Sequence, residues 1–150
     1  MTDYYLDSSA ILKHYHTEPG TDLVDAMFDS VAESPIYTAF FSILEVRAAA
    51  TRLNRGGTIT NRGLRILRDR LLVDTELSLT LVALTDALLV SAVSFAEEYA
   101  LSAGDAVQLA AALEANRLSV VQDLVFVTAD RQLLEAAVLE GFSVLDPAIV

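Results

Sequence analysis

Short apolar runs alternate with longer segments of helical periodicity along the chain, and this alternation limits the fold more than any other feature. The five runs that predict strands are Asp3–Leu6, Ile36–Thr38, Leu79–Leu84, Leu124–Thr128 and Ser143–Leu145. The seven segments that predict helices are Ser8–Tyr15, Thr21–Val31, Phe40–Asn54, Asn61–Val73, Asp86–Ala100, Gly104–Asn116 and Arg131–Leu139. Strands separated by helices of this length form parallel sheets that are covered on both faces. The sequence therefore predicts an α/β fold.

Length and composition favour one compact domain over residues 1–150. The chain is 53% hydrophobic, and no linker or repeat divides it. It contains no cysteine, which excludes disulfides, thiolate zinc sites and cysteine nucleophiles and fits a reducing cytoplasm. The apolar stretch from Leu77 to Phe95 is long enough to span a membrane, but Thr85-Asp86 interrupts it. We predict a strand followed by a capped helix there, and no membrane segment.

The charge of the chain is strongly uneven. The net charge is −11, yet residues 47–70 carry seven arginines and one aspartate, so this window is +6 and the remainder is −17. A net charge of this sign argues against a protein that simply coats nucleic acid. The basic window predicts either one face that binds an anionic partner or a solvated helical hairpin.

Two of the predicted strands end on an aspartate. Tyr-Leu-Asp7 closes the first run, and Val-Thr-Ala-Asp130 closes the fourth. In open α/β sheets, ligands bind beyond the carboxyl ends of the strands, where the strand order reverses. Both aspartates can also act as N-caps of the helices that follow them. These two interpretations remain open from the sequence.

Two further acids lie on the apolar sides of predicted helices. Glu45 shares a stripe with Phe41 and Ala49, and Asp105 shares one with Leu109. Each also fits a capping box, Ser42-x-x-Glu45 and Ser102-x-x-Asp105, which is the structural alternative.

Four carboxylates that converge in one cleft repel one another unless a cation lies between them. A ligand set made only of oxygen favours Mg²⁺ or Mn²⁺ over zinc. Such a centre suits phosphodiester hydrolysis, because the ion stabilises phosphate charge and lowers the pKa of water.

These residues lie in motifs that resemble the PIN-domain family, and more narrowly the VapC-type toxin ribonucleases of bacterial toxin–antitoxin pairs. The motifs are YYLDSSAIL with Asp7, SILEVRAAA with Glu45, LSAGDAVQLAAAL with Asp105, and FVTADRQLLEAAVLEGFSVLDP with Asp130. The resemblance implies a three-layer sandwich around a parallel sheet of strand order 3-2-1-4-5. It also implies that the four acids bind Mg²⁺ or Mn²⁺ and cleave RNA.

The resemblance also implies roles for other residues and partners. Ser8 and Thr128 match small hydroxyl residues that support the acidic centre, and Arg47, Arg52 and Arg55 match the region that forms an RNA or partner groove. The implied partners are an RNA substrate, a VapB-type antitoxin and a second copy of the chain in a homodimer. Asp123 is expected to be a loop residue, although an additional ligand role is the alternative.

Other functions fit the sequence less well. A haloacid-dehalogenase phosphatase requires a second aspartate where the chain has Ser9. A receiver domain requires a lysine after a late strand, whereas the only lysine of this chain is Lys13. The remaining alternative is a catalytically inactive PIN-like module that serves as an interaction partner.

Overall fold

The computed structural model describes residues 2–149 and contains a five-stranded sheet flanked by helices. The strands are β1 (Tyr4–Leu6), β2 (Ile36–Ala39), β3 (Leu79–Val82), β4 (Val125–Val127) and β5 (Ser143–Leu145). The helices are α1 (Ser8–Tyr15), α2 (Thr21–Asp29), α3 (Phe40–Arg55), α4 (Asn61–Leu77), α5 (Asp86–Tyr99), α6 (Ala103–Leu118) and α7 (Arg131–Leu139).

All strand pairs are parallel, and the order in the sheet is β3-β2-β1-β4-β5. β2 pairs beside β1, and β3 pairs beside β2, so the first three strands extend the sheet to one side. β4 then pairs with the other side of β1, and β5 pairs with β4. Leu6 pairs with Val127 in this central register. The residues that follow β1 and β4 therefore emerge side by side, at the point where the strand order reverses.

The sheet is covered on both faces because its strand side chains alternate between two cores. Tyr5 and Phe126 point into a core formed with α5, α6 and α7. Their neighbours Leu6 and Val127 point into the opposite core, which contains residues of α1, α2, α3 and α4. A third, smaller cluster joins the amino-terminal half of α4 to α3. The predicted three-layer α/β sandwich and its strand order are confirmed.

The region around Thr85 also follows the sequence prediction. The Leu77–Phe95 stretch divides into β3 and α5, and the Thr85 hydroxyl accepts a hydrogen bond from the backbone N–H of Leu88 at 3.1 Å. Among the described residues, no helix combines the length and apolar character required to cross a bilayer.

Candidate active site

A threonine hydroxyl joins the carboxyl ends of the two central strands. β1 leads directly into Asp7, and β4 leads directly into Thr128. The Oγ1 of Thr128 donates to Oδ2 of Asp7 at 2.6 Å and accepts from the backbone N–H of Asp130 at 3.0 Å. Asp7 and Thr128 are both buried, with 2% and 0% of their surface exposed. Thr128 therefore links the two aspartates that end the strands.

Both strand-end aspartates also cap helices. Oδ1 of Asp7 accepts from the backbone N–H of Ala10 at 2.9 Å, and Oδ1 of Asp130 accepts from the backbone N–H of Leu133 at 2.9 Å. The capping interpretation of these residues is thus correct. Capping uses one oxygen of each carboxylate, and an ionised carboxylate has about four acceptor sites. Capping is therefore compatible with cation binding.

The serine that contacts Asp7 is Ser9 and not Ser8. Ser9 Oγ donates to Oδ1 of Asp7 at 2.7 Å and accepts from the backbone N–H of Ala129 at 3.1 Å. Within residues 2–149, the side chain of Ser8 makes no hydrogen bond with the four acids. The first residue of α1 points differently from the second because successive helical residues are rotated by about 100°. The supporting contact that the resemblance assigned to Ser8 thus belongs to its neighbour.

Glu45 lies in the interior of α3, and the capping-box alternative for it is wrong. The helix begins at Phe40 after the N-cap Ala39, which makes no side-chain capping bond, so Ser42 lies inside the first turn. Oε1 of Glu45 instead accepts from Nε2 of Gln108 on α6 at 2.7 Å. Glu45 is therefore turned toward α6, as its place on the apolar stripe predicted.

Gln108 belongs to a buried polar cluster that the sequence analysis missed. The Tyr5 hydroxyl donates to Oε1 of Gln108 at 2.6 Å, and Nε2 of Gln108 donates to the Ser42 hydroxyl at 2.9 Å. Burial, and then the charge of Asp7, raise the pKa of Tyr5 well above its usual range, so its hydroxyl remains a proton donor. One signal was present in the sequence: Gln108 is the only strongly polar residue in the buried run from residue 106 to 112.

Asp105 lies in the first turn of α6, beside Glu45. Ser102 is the N-cap of this helix, and its Oγ accepts from the backbone N–H of Asp105 at 3.2 Å. The Ser102 half of the predicted capping box is therefore present. Gly104 faces Glu45 so closely that a Cβ atom at this position would lie 2.8 Å from Oε2. The absence of a side chain at Gly104 lets α3 bring Glu45 next to Asp105.

Burial and mutual repulsion make ionisation of two of these acids unfavourable. Burial is the main cause that raises the pKa of Asp7 from 3.8 to about 6; the charge of Asp105 adds to the rise, and the bonds from Thr128, Ser9 and the backbone of Ala10 oppose it. The pKa of Asp105 is also raised to about 6, first by desolvation and then by the charges of Asp130 and Glu45. Asp105 is thus charge-coupled to each of the other three acids.

In the part of the chain that the structure describes, none of the four acids has an ion-pair partner, although Asp7 is buried and the other three are partly buried. Among residues 2–149, the ion pairs of lysine, arginine and histidine involve other acids. The carboxylates also do not form a ready coordination shell, since no three acidic or histidine side chains of the described chain are close enough to hold one ion. The donor set is nevertheless entirely oxygen, which is the chemistry that Mg²⁺ and Mn²⁺ prefer. These residues fit such an ion in type and charge.

The three arginines expected to form a groove lie on α3 but do not share one side of it. Arg47, Arg52 and Arg55 are all exposed, and none forms an ion pair among the described residues. With a rise of about 1.5 Å per residue, Arg52 and Arg55 lie about 10 and 15 Å along the helix from Glu45. At about 100° per residue, Arg52 lies within about 20° of Glu45 around the helix axis, Arg55 about 80° away and Arg47 about 160° away. Arg47 therefore faces away from the side of α3 that carries Glu45.

Asp123 lies at the amino-terminal end of the strands. It is an exposed residue in the connection that precedes β4, whereas Asp7 and Asp130 follow the carboxyl ends of β1 and β4. The interpretation of Asp123 as a loop residue is therefore correct.

Comparison with solved structures gives the same architecture. One match is the crystal structure of PAE2754 from Pyrobaculum aerophilum, with 20% identity and a TM-score of 0.64 over 95% of this chain and 89% of that chain. Another is the structure of FitAB bound to the IR36 DNA fragment, with 17% identity and a TM-score of 0.66 over 98% of this chain and 96% of that chain. A search of curated proteins gave no match.

Comparison with protein families identifies the group. The profile described as "PIN domain" matches residues 4–139, which include all four acids and every strand except β5. Members of this family are generally metal-dependent nucleases. The chain belongs to the PIN-domain family.

Proposed function

We propose that this protein is a metal-dependent endoribonuclease and the toxin of a VapBC-type toxin–antitoxin pair. The observation that carries the proposal is the placement of the acids: Thr128 bonds both Asp7 and Asp130, and Glu45 lies against Gly104, the residue before Asp105. No basic side chain among residues 2–149 forms an ion pair with any of the four. Carboxylates that repel one another in a partly buried site cost stability, and a divalent cation relieves that cost.

Asp7, Glu45, Asp105 and Asp130 would hold the ion, which is Mg²⁺ or Mn²⁺. When bound, the ion supplies Lewis-acid stabilisation of phosphate charge and activates water for attack. The chain contributes the fixed positions of the carboxylates. Asp7 and Asp130 are held through Thr128 and through their helix caps, and Glu45 is held by Gln108.

The substrate in this proposal is RNA, bound partly through the exposed arginines of α3. Arg47, Arg52 and Arg55 supply positive charge on a chain whose net charge is −11. Phosphate contacts of this kind bind the nucleic acid backbone and carry little sequence information. RNA as the substrate, a VapB-type antitoxin, a homodimer and a cytoplasmic location follow from the family resemblance and are part of the proposal.

The test is isothermal titration calorimetry with Mn²⁺ on the native protein and on Asp7→Asn and Asp105→Asn. We expect measurable binding by the native protein and loss of binding in both variants, since each removes a ligand from one shared centre. Native protein that binds no Mn²⁺ at millimolar concentration would contradict the proposal. It would favour the catalytically inactive interaction module instead.

The choice of RNA is tested separately. Single-stranded RNA and DNA of the same sequence are incubated with the native protein and Mn²⁺, and the products are separated by electrophoresis. We expect cleavage of the RNA that EDTA abolishes. Cleavage of the DNA alone would support a nuclease activity but would contradict its assignment as a ribonuclease.

A further inference from the structure

The carboxylate of Glu45 is held by a neutral amide rather than by a charged group. Nε2 of Gln108 donates to Oε1 of Glu45 at 2.7 Å. Gln108 is 1% exposed and lies one helical turn after Asp105 on α6. The same helix therefore carries an acid of the proposed centre and the group that contacts a second acid.

Hydrogen bonds to Tyr5 and Ser42 fix the orientation of the Gln108 amide. Tyr5 on β1 is fully buried, and its hydroxyl donates to Oε1 of Gln108 at 2.6 Å. A hydroxyl donor on the oxygen side leaves the nitrogen side to face Glu45. Ser42, which is also fully buried, accepts from the same nitrogen at 2.9 Å. Both hydrogens of the amide nitrogen are therefore used, one on Ser42 and one on Glu45.

The other oxygen of Glu45 is confined by the backbone of α6. A Cβ atom at Gly104 would lie 2.8 Å from Oε2 and 3.8 Å from the Phe41 ring. Oε1 is thus occupied by an amide, while Oε2 lies beside the residue that precedes Asp105. The carboxylate has little freedom to rotate.

We propose that Gln108 is a positioning residue that fixes the Glu45 carboxylate for cation binding, with Oε1 held by the amide and Oε2 left for the ion. This inference rests on the proposed function. A neutral donor suits the task because it orients the carboxylate and leaves its negative charge for the ion. A lysine or arginine would neutralise that charge, and a glutamate would repel Glu45.

The test measures the Mn²⁺ dissociation constant of Gln108→Met by isothermal titration calorimetry. Methionine keeps the approximate volume of glutamine but donates no hydrogen bond. We expect the dissociation constant to rise about 10-fold or more, because partners that orient metal ligands are typically worth 10–100-fold in affinity. Ser119→Ala is the matched control, since it removes a buried hydrogen bond to Asp3 before β1, at the opposite edge of the sheet. We expect its affinity to match that of the native protein.

A double variant distinguishes positioning from general destabilisation. If Gln108 acts through Glu45, adding Gln108→Met to Glu45→Gln should change the dissociation constant less than about 2-fold, because coupled residues are non-additive. Tyr5→Phe is the second variant, and it remains informative if Gln108→Met fails to fold. It releases the amide oxygen, and we expect affinity to fall several-fold.

The outcomes separate the two proposals. If Gln108→Met and Tyr5→Phe both bind Mn²⁺ with the affinity of the native protein, the positioning role is overturned and the proposed metal centre stands. Equal losses in Gln108→Met and in the Ser119→Ala control also overturn it. Native protein without any Mn²⁺ binding overturns the metal centre and the positioning role together.

Discussion

An aspartate stands at each end of β1, and the two are buried almost equally. Asp3 precedes the strand and is 3% exposed, whereas Asp7 follows it and is 2% exposed. Asp3 accepts one hydrogen bond from the Ser119 hydroxyl at 2.5 Å, which ties the end of α6 to the sheet. Asp7 accepts three, from Thr128, Ser9 and the backbone of Ala10.

The difference between these ends lies in the surrounding charge. Asp7 is affected by the charge of Asp105, and Asp105 in turn by those of Asp130 and Glu45. The Asp3 carboxylate is bound by a neutral hydroxyl from a neighbouring connection. Burial alone therefore does not distinguish Asp3 from Asp7. The charges of acids from distant parts of the chain do, and we place the proposed centre at the Asp7 end for that reason.

The largest expected effect comes from removing the charge at one end of β1. Asp7→Asn should reduce Mn²⁺-dependent RNA cleavage at least about 100-fold, since even outer partners of metal ligands are worth 10–100-fold. Asp3→Asn should stay within about 3-fold of native activity, because the amide oxygen can still accept from Ser119. Initial rates measured at the Mn²⁺ concentration that saturates the native protein check both. Equal losses in the two variants would remove the distinction between the ends.

Two fully buried threonines at the carboxyl edge allow a finer comparison. Thr128 donates to Asp7, whereas Thr38 donates to the backbone carbonyl of Leu6 at 2.6 Å. Thr128→Val should weaken Mn²⁺ binding about 10-fold. Thr38→Val should lower the free energy of unfolding by about 1–2 kcal/mol and leave the affinity unchanged. Calorimetric titration and urea unfolding measure the two quantities. A weaker affinity in Thr38→Val would mean that any defect at this edge disturbs the centre.

The raised pKa of Asp7 predicts a pH dependence of stability in the metal-free protein. Its pKa rises from the usual 3.8 to about 6 on folding. Between these two pH values, the native state binds a proton that the unfolded state has released. The protein should therefore gain stability as the pH falls from 7 to 5, by about 1 kcal/mol for Asp7, or roughly 2–4 °C in Tm. Asp7→Asn should reduce this gain and melt higher than the native protein at pH 7. Thermal melts in EDTA, with Asp3→Asn as the control, test this, and an unchanged pH slope in Asp7→Asn would contradict it.

The smallest expected effect is a difference in Mn²⁺ affinity between variants of the adjacent residues Ser8 and Ser9. Ser9→Ala removes a donor to Asp7 and should weaken Mn²⁺ binding about 5-fold, whereas Ser8→Ala should leave it unchanged, since one hydrogen bond typically contributes about 1 kcal/mol. The same titration measures both variants. A larger loss in Ser8→Ala would restore the role implied by the resemblance.

The sequence predicted the elements well because their boundaries have local causes. α1 and α7 have the predicted bounds, Ser8–Tyr15 and Arg131–Leu139, since an aspartate cap begins each one. α4 was predicted to end at Val73 but continues to Leu77. Its polar last turn is stabilised by a contact that a local pattern cannot reveal, the hydrogen bond from the Tyr15 hydroxyl to Asp74 at 2.7 Å.

The surroundings of the acids were less predictable because they depend on contacts between distant segments. Ser42 fits the capping box in its own segment, yet its hydroxyl bonds to Gln108 on another helix. The choice between Ser8 and Ser9 depends on the backbone of Ala129, which only the pairing of β1 with β4 brings close. Motifs therefore indicated the candidate acids, and the tertiary fold determined which side chains contact them.

Because β4 pairs with β1, the proposed centre is assembled from the two ends of the chain. Asp7 is translated first of the four acids and Asp130 last. At about 5–20 residues per second, roughly 6–25 s separate their synthesis on the ribosome. A nascent chain lacks part of the centre throughout this interval. In the proposed toxin–antitoxin pair, an inhibitor made at the same time would be present before the first toxin molecule is complete.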